Sequence, residues 1–400
     1  MFQNSLGIII FILTIISTSI FFFNLILPNY IISNTVEIIP DGVEKEKLSF
    51  WAIPLFISNS VFFILYILYK KEKFPRKVSN LLNKIQNIEF SKKTTFVILV
   101  SIISFYIVFS VDELLLEEVE LGDYQAAKEG ALNWYTVLEN EGFYISPVLR
   151  YLLLFISLEF LGNIRILPFI ASIGLVILIY FLTKEISGKR FSGIIATCAL
   201  IQSNLFLIYD TTSTYENFWT FFYFLSLYLI VKNSMTSSIS YVVSLFLKVL
   251  VVVFLPINLF WVFIQKQTTN KIKLSIGFVS IVAVILFAFF SGDLLHTHPD
   301  GVGFNLEKFV LGFNEINNSL RFDNLILLVF IPLIFLLFVQ SRNKNSNKIF
   351  VLFGILIMLI SQPLLYSIIE MTIQPYRFIP LVVFVAIGLG IIFEKNKENS

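Results

Sequence analysis

Thr94-Thr95-Phe96-Val97-Ile98-Leu99-Val100-Ser101-Ile102-Ile103-Ser104-Phe105-Tyr106-Ile107-Val108-Phe109-Ser110-Val111 carries no charge and stops abruptly at Asp112-Glu113. A helix needs about 20 apolar residues to cross a bilayer, and this run is close to that length. Its apolar positions are continuous rather than alternating, which excludes a strand of a membrane barrel. Glu117, Glu118 and Glu120 follow closely, so carboxylates crowd the point where the helix leaves lipid. Such groups are costly to desolvate and face water, a partner or a site. Chemistry is expected at this edge.

The rest of the chain repeats the pattern. Of 400 residues, 57% are hydrophobic, 14% are charged and 45 are Phe, more apolar surface than a soluble domain needs. Further runs stand at 7–27, 166–183, 274–290 and 377–393. The expected fold is all-α: a polytopic membrane protein with roughly ten transmembrane helices and an outer loop carrying short helices. The expected organisation is an N-terminal helix pair with a basic linker over 1–93, a membrane domain over 94–393 and a tail over 394–400. The first run lacks a basic start and is followed by Asn29-Tyr30 rather than a cleavage site, so it reads as a retained helix. The single cysteine, Cys198, excludes an intramolecular disulfide and is expected inside a helix.

Charge distribution orients the chain. Lys and Arg cluster at Lys70–Lys77, Lys84, Lys92, Lys93, Lys266–Lys273, Arg342–Lys348 and Lys395–Lys397, the expected cytoplasmic side. The acidic loops at 37–46 and 112–123 then face outward. Between 70 and 93, Val78, Leu81, Leu82, Ile85 and Ile88 have amphipathic spacing, which fits either a helix along the inner leaflet or a solvated linker. Three apolar stretches, 147–161, 166–183 and 191–209, separate Asp112 from Glu216. The first is short for a crossing, so one stretch is expected to be incomplete or re-entrant, leaving both acids outside. The run 239–264, with Lys248 and Pro256, is expected to form two short helices around a buried break.

Two constellations stand out. The loop from Asp112 to Ser146 includes Asp123–Gly130, read as a short helix stopped by glycine, and Trp134, Tyr135, Phe143 and Tyr144, which suit a membrane interface. It forms either a roof over a lipid-adjacent cavity or a solvated acidic loop. Tyr209-Asp210-Thr211-Thr212-Ser213-Thr214-Tyr215-Glu216 precedes a further apolar run. Here Thr214 or Glu216 serves either as a helix cap or, through Asp210 with Glu216, as a second acidic site able to bind a divalent ion or activate a hydroxyl. His296-Thr297-His298-Pro299-Asp300-Gly301 reads as a solvated turn rather than a metal site. Asn317-Asn318-Ser319 is a glycosylation sequon only if it faces outward in a host with that pathway. Nothing reads as a phosphate-binding glycine loop, a serine-nucleophile elbow or a nucleic-acid surface.

Ser146-Pro147-Val148-Leu149-Arg150-Tyr151-Leu152-Leu153, Phe160-Leu161-Gly162-Asn163-Ile164-Arg165-Ile166-Leu167-Pro168, Tyr180-Phe181-Leu182 and Ser187-Gly188 together resemble membrane glycosyltransferases of the C superfamily. The similar groups are the dolichyl-phosphate-mannose protein mannosyltransferases and the bacterial aminoarabinose lipid A transferases. Glu216–Phe222, Leu225–Leu229 and Pro375-Tyr376-Arg377-Phe378-Ile379-Pro380 extend the likeness over roughly residues 94–393. The chain departs in having two helices and a basic linker before its acidic helix. It has Ser213-Thr214 where an arginine commonly precedes the second acid, and the large soluble C-terminal domain of some relatives is not expected here.

The resemblance implies a transferase that moves a sugar from a polyprenyl-phosphate or dolichyl-phosphate donor to a lipid, protein or glycan acceptor on the outer face. It implies Asp112 as the catalytic acid/base position with Glu113 beside it, Glu216 as the second-loop carboxylate, and Arg377 facing the donor phosphate. Tyr376 stands in the same donor-binding segment, and Lys248 is a candidate helper. An acceptor hydroxyl needs a base within reach, and a carboxylate at a dry boundary has its pKa raised. A leaving phosphate needs a cation, for which the arginine fork is well suited. A metal requirement is left open by the sequence. The membrane partners are lipids of the cell membrane in a prokaryotic host. The competing reading is a transporter or flippase of a lipid-linked substrate, with the acids as an ion relay.

Overall fold

The computed structural model describes residues 2–28, 48–116, 118, 123–136, 148–264, 271–291, 304–321, 323–342, 346–369 and 374–394. Every regular element among them is helical. In chain order these are α1 (Phe2–Ile26), α2 (Ala52–Lys70), α3 (Arg76–Gln86), α4 (Lys92–Ser110), α5 (Tyr124–Leu132), α6 (Val148–Leu161), α7 (Ile166–Ser187), α8 (Arg190–Ile201) and α9 (Asn204–Tyr209). There follow α10 (Phe218–Val231), α11 (Thr236–Leu247), α12 (Leu255–Ile264), α13 (Lys271–Ser291), α14 (Leu306–Leu320), α15 (Asn324–Ser341), α16 (Ser346–Ile369) and α17 (Ile379–Ile391). Short 3-10 turns cover Val111–Leu115, Val249–Phe254 and Pro375–Phe378.

Among the described residues, six helices are long and apolar enough to cross a bilayer: Ser5–Ile26, Ala52–Lys70, Lys92–Leu115, Ile166–Ser187, Asn324–Ser341 and Ser346–Ile368. Their outward faces are oily, with Phe56 75% and Phe109 71% exposed. A surface of that kind is stable against lipid and would drive association in water. Residues 37–46, 143–147 and 296–301 and the tail from 395 lie outside the described residues.

Side-chain ties divide the bundle into two poles. At the basic pole, Asn347 Nδ2 donates to the Ile186 carbonyl (2.8 Å), Lys348 pairs with Glu394 (3.5 Å) and Arg190 pairs with Glu89 (3.4 Å). At the acidic pole, Ser110 donates to Asp210 (2.9 Å), and Arg165 at the start of α7 pairs with Glu118 (3.2 Å). Thus α4 runs from basic to acidic pole, α7 returns, and α8 with α9 climbs again to Asp210. Gly188 closes α7 with φ +71°, a left-handed conformation that costs a glycine little. That tight turn lets α8 start beside α7.

The 147–161 stretch is resolved by α6. Its first turn meets the acidic pole through Arg150, and beyond its last turn Asn163 Nδ2 donates to the Leu114 carbonyl (2.6 Å). Both ends of this 14-residue helix are therefore tied to one pole. The 239–264 region also divides, with the break at Lys248 rather than at Pro256: α11 ends there and Tyr241 donates to the Val251 carbonyl (3.0 Å), folding the chain back beside itself. The first helix belongs to the same core. Phe11 stacks on Phe338 of α15 at 3.7 Å, and Gly7 lies against Ile349. Cys198 is half-buried in α8.

Candidate functional site

The loop between α9 and α10 is the keystone of the acidic pole. Asp210, Thr211, Thr212, Ser213, Thr214 and Glu216 are all buried, an unusual density of polar groups that requires partners. Arg165 holds Thr211, while Ser110 meets Asp210 and Arg150 meets Glu216. The Arg165 Nε donates to the Thr211 carbonyl (2.9 Å), its Nη2 donates to Thr211 Oγ1 (2.7 Å), and its Nη1 reaches the carbonyls of Glu113 and Leu116. Glu118 completes the knot, accepting from Thr214 N (3.0 Å) and Thr214 Oγ1 (2.8 Å). One guanidinium thereby fixes the acidic stretch after α4 against the loop before α10.

Asp112 and Glu113 occupy the 3-10 turn that ends α4. Glu113 is half-buried and accepts from Thr211 Oγ1 (3.0 Å). Asp112 is exposed. The 3-10 turn leaves Asp112 outside the packed knot that Glu113 joins. Asp210 is the dry one: burial pushes its carboxyl up to about 7, against the pull of the Tyr106 and Ser110 hydroxyls.

Glu216 is buried, and its Oε2 lies 2.9 Å from Arg150 Nε. Burial pushes its carboxyl up, while Arg150 and Lys248 oppose that shift. The residue does not open α10 as expected; Asn217 holds the N-cap position, with no side-chain cap, and Glu216 turns to Arg150 instead. Asp210 and Glu216 also fail to form a shared acidic site, since one faces Ser110 and the other faces Arg150. Among the described residues, no group of three or more His, Cys, Asp or Glu is arranged to hold a metal ion. His296 and His298 lie outside those residues.

Tyr376 gathers the cationic half. Its hydroxyl accepts from Lys248 Nζ (2.7 Å) and from Arg377 Nε (3.3 Å). Its ring stacks on Tyr215 at 4.3 Å and meets the edge of Tyr209 at 6.1 Å. Tyr215 in turn donates to Asp123 Oδ2 (3.0 Å), and burial with the Asp123 carboxylate pushes its phenol up to about 12. The 209–217 loop thus joins both halves: Thr211 touches Glu113, while Tyr215 touches Tyr376. Lys248 reaches this place because α11 breaks there, leaving the residue in extended backbone at the helix end.

Several of these residues had no role assigned from sequence. Arg150, Arg165, Glu118, Thr211 and Tyr215 are legible only as polar groups in oily surroundings, and the arginines are the clearest signal, since such a charge requires a partner. The sequence lacks an arginine immediately before Glu216; Arg150 approaches that carboxylate from α6 instead. The 123–130 helix runs on to Leu132, past the expected glycine stop, and Gly130 lies against the Tyr151 ring. Asn317 is buried in α14 and donates to the Asn24 carbonyl (3.0 Å), so its sequon is closed to modification in the folded protein. No known protein-family model matches the chain, and no characterised protein matches it in sequence.

Proposed function

We propose that the protein is an integral membrane glycosyltransferase that moves a sugar from a polyprenyl-phosphate carrier to an acceptor at the acidic pole. The observation that carries this reading is the meeting of Lys248 and Arg377 on the Tyr376 hydroxyl, linked by one loop to the Glu113 carboxylate next to Asp112. A cation pair answers the charge that develops on a departing lipid phosphate. An exposed carboxylate on the same pole is free to take a proton from an incoming hydroxyl. The roughly ten crossings of this reading combine the six long helices with shorter apolar ones such as Phe218–Val231 and Pro375–Ile391. The acidic pole is then the outer face and the basic pole the cytoplasmic one.

The chemistry is a single displacement. The acceptor oxygen attacks the anomeric carbon as Asp112 accepts its proton, the carbon–oxygen bond to phosphate breaks, and polyprenyl phosphate leaves beside Lys248 and Arg377. Glu113 orients the turn through Thr211, and Glu216 with Arg150 holds the loop that presents Tyr215 and Tyr376.

The Lys248 break favours a second reading, because discontinuous helices are a device of transporters of lipid-linked substrates. Purified protein in vesicles with a polyprenyl-phosphate sugar donor separates the two. Sugar transfer that falls by about 100- to 10,000-fold in Asp112→Asn, at unchanged protein level, supports the enzyme. Movement of the donor across the vesicle without transfer supports the carrier and removes the catalytic assignment.

A further inference from the structure

Helix α3 has an apolar side that the protein does not cover. Val78, Leu81, Leu82 and Ile85 share one face by helical spacing, while Arg76, Asn80, Asn83 and Lys84 fall opposite. No residue of α3 is buried, and Leu81 is 56% exposed. An isolated eleven-residue helix with an uncovered apolar stripe is marginal in water.

The position of α3 is fixed from both sides. It follows α2, which ends at Lys70, and precedes α4, which begins at Lys92; both helices are of spanning length. Its last residue is clamped to the bundle, since Lys189 Nζ donates to the Gln86 carbonyl (2.6 Å). Arg190 Nη1 donates to the Phe90 carbonyl (2.6 Å) just beyond. The helix is therefore held at the height where spanning helices leave lipid.

Charge selects the kind of lipid. Lys70, Lys71, Lys73, Arg76, Lys77, Lys84, Lys92 and Lys93 stand on or beside α3 against only Glu72 and Glu89, and Arg190 already pairs with Glu89. Cations of this density at a membrane surface are attracted to anionic headgroups, and an apolar stripe beneath them inserts among the acyl chains.

We propose that α3 is an interfacial helix that docks on anionic phospholipid at the basic pole, with Val78, Leu81, Leu82 and Ile85 in the acyl region and its Lys and Arg at the headgroups. The inference rests on the membrane character of the bundle and is independent of the sugar-transfer reading.

The test uses the full chain with Cys198→Ala, carrying a nitroxide at Leu81→Cys or at Asn83→Cys. It is reconstituted in phosphatidylcholine vesicles with or without phosphatidylglycerol. Spin-label accessibility to oxygen, which partitions into lipid, is compared with accessibility to a water-soluble nickel chelate. In vesicles containing phosphatidylglycerol, the oxygen-to-nickel ratio is expected to be severalfold higher at 81 than at 83. That contrast should shrink in phosphatidylcholine alone, at high salt, and in an Arg76→Gln/Lys77→Gln/Lys84→Gln variant. Equal ratios at the two positions overturn the proposal in favour of a solvated linker. Equal insertion in both lipid compositions overturns the anionic preference. Protection from both relaxers that disappears on dilution into excess lipid overturns it in favour of a second copy covering the face.

Discussion

Asp210 and Arg377 show how a single residue can report on this site. Asp210 lies between α4 and the polar loop with its carboxyl raised to about 7 by burial. A carboxyl raised in the folded state holds its proton there at pH values where the unfolded chain has released it. Its contribution to stability is present in full below about pH 4, and it is lost as pH rises toward about 7. The Asp210 share of this slope is at most roughly 1.4 kcal/mol per pH unit. Thermal unfolding in detergent should therefore be less pH-dependent across that window in Asp210→Asn, which keeps an oxygen for Ser110. An unchanged slope would place the dependence elsewhere. Arg377 is tested by shape rather than charge. Lysine keeps the cation and loses the fork, so Arg377→Lys should still lower transfer markedly, and Arg377→Gln by about 100-fold or more. Full activity of Arg377→Lys, normalised to protein in the membrane, would make Arg377 an interfacial anchor.

Close approach of backbones governs the element scale, as expected where lipid offers helices no hydrophobic drive to associate. Gly390 of α17 sits so near α7 and α8 that a Cβ there would lie 2.5 Å from the Ser192 carbonyl oxygen and 2.6 Å from Thr183 Cγ2. The Ser192 contact is backbone and cannot rotate away. Gly390→Ala should cost about 1–3 kcal/mol by overpacking, seen as a lower melting temperature. Because α17 also follows the turn holding Tyr376 and Arg377, activity should fall more than stability alone explains. A melting temperature equal to the parent's would mean that α17 shifts without strain. The same principle seats α14 on α16, where Gly312 faces Pro363.

At the scale of the whole molecule, the arrangement stands on two poles and on α6 being tied at both ends to one of them. Labelling of introduced cysteines in a Cys198→Ala background checks it. Thr212 is buried and unsuitable, whereas Gln125, at the acidic pole, and Glu72 and Arg342, at the basic pole, are exposed. An impermeant reagent added outside oriented cells should modify Gln125→Cys alone, and Glu72→Cys and Arg342→Cys should react only after the membrane is opened. Reaction of Gln125→Cys and Glu72→Cys from the same side would dissolve the two-pole arrangement and, with it, the shared outer site.

Sequence by itself determined the class, the helical runs and the separation of basic from acidic turns, because each depends on composition within a window of about 20 residues. It also located Asp112, Glu216 and Arg377 as charges at the margins of oily runs, and Lys248 as a charge within one. Tertiary structure decided the partners. Arg150 reaches Glu216, Arg165 binds Glu118 and Thr211, and Lys248 meets Tyr376 across 128 positions. It also decided that Asp112 is exposed while Asp210 is enclosed. A buried charge must find a counter-charge or a hydrogen bond, but which one it finds depends on helix packing between distant segments. That choice leaves no local periodicity or composition for a sequence reading to detect.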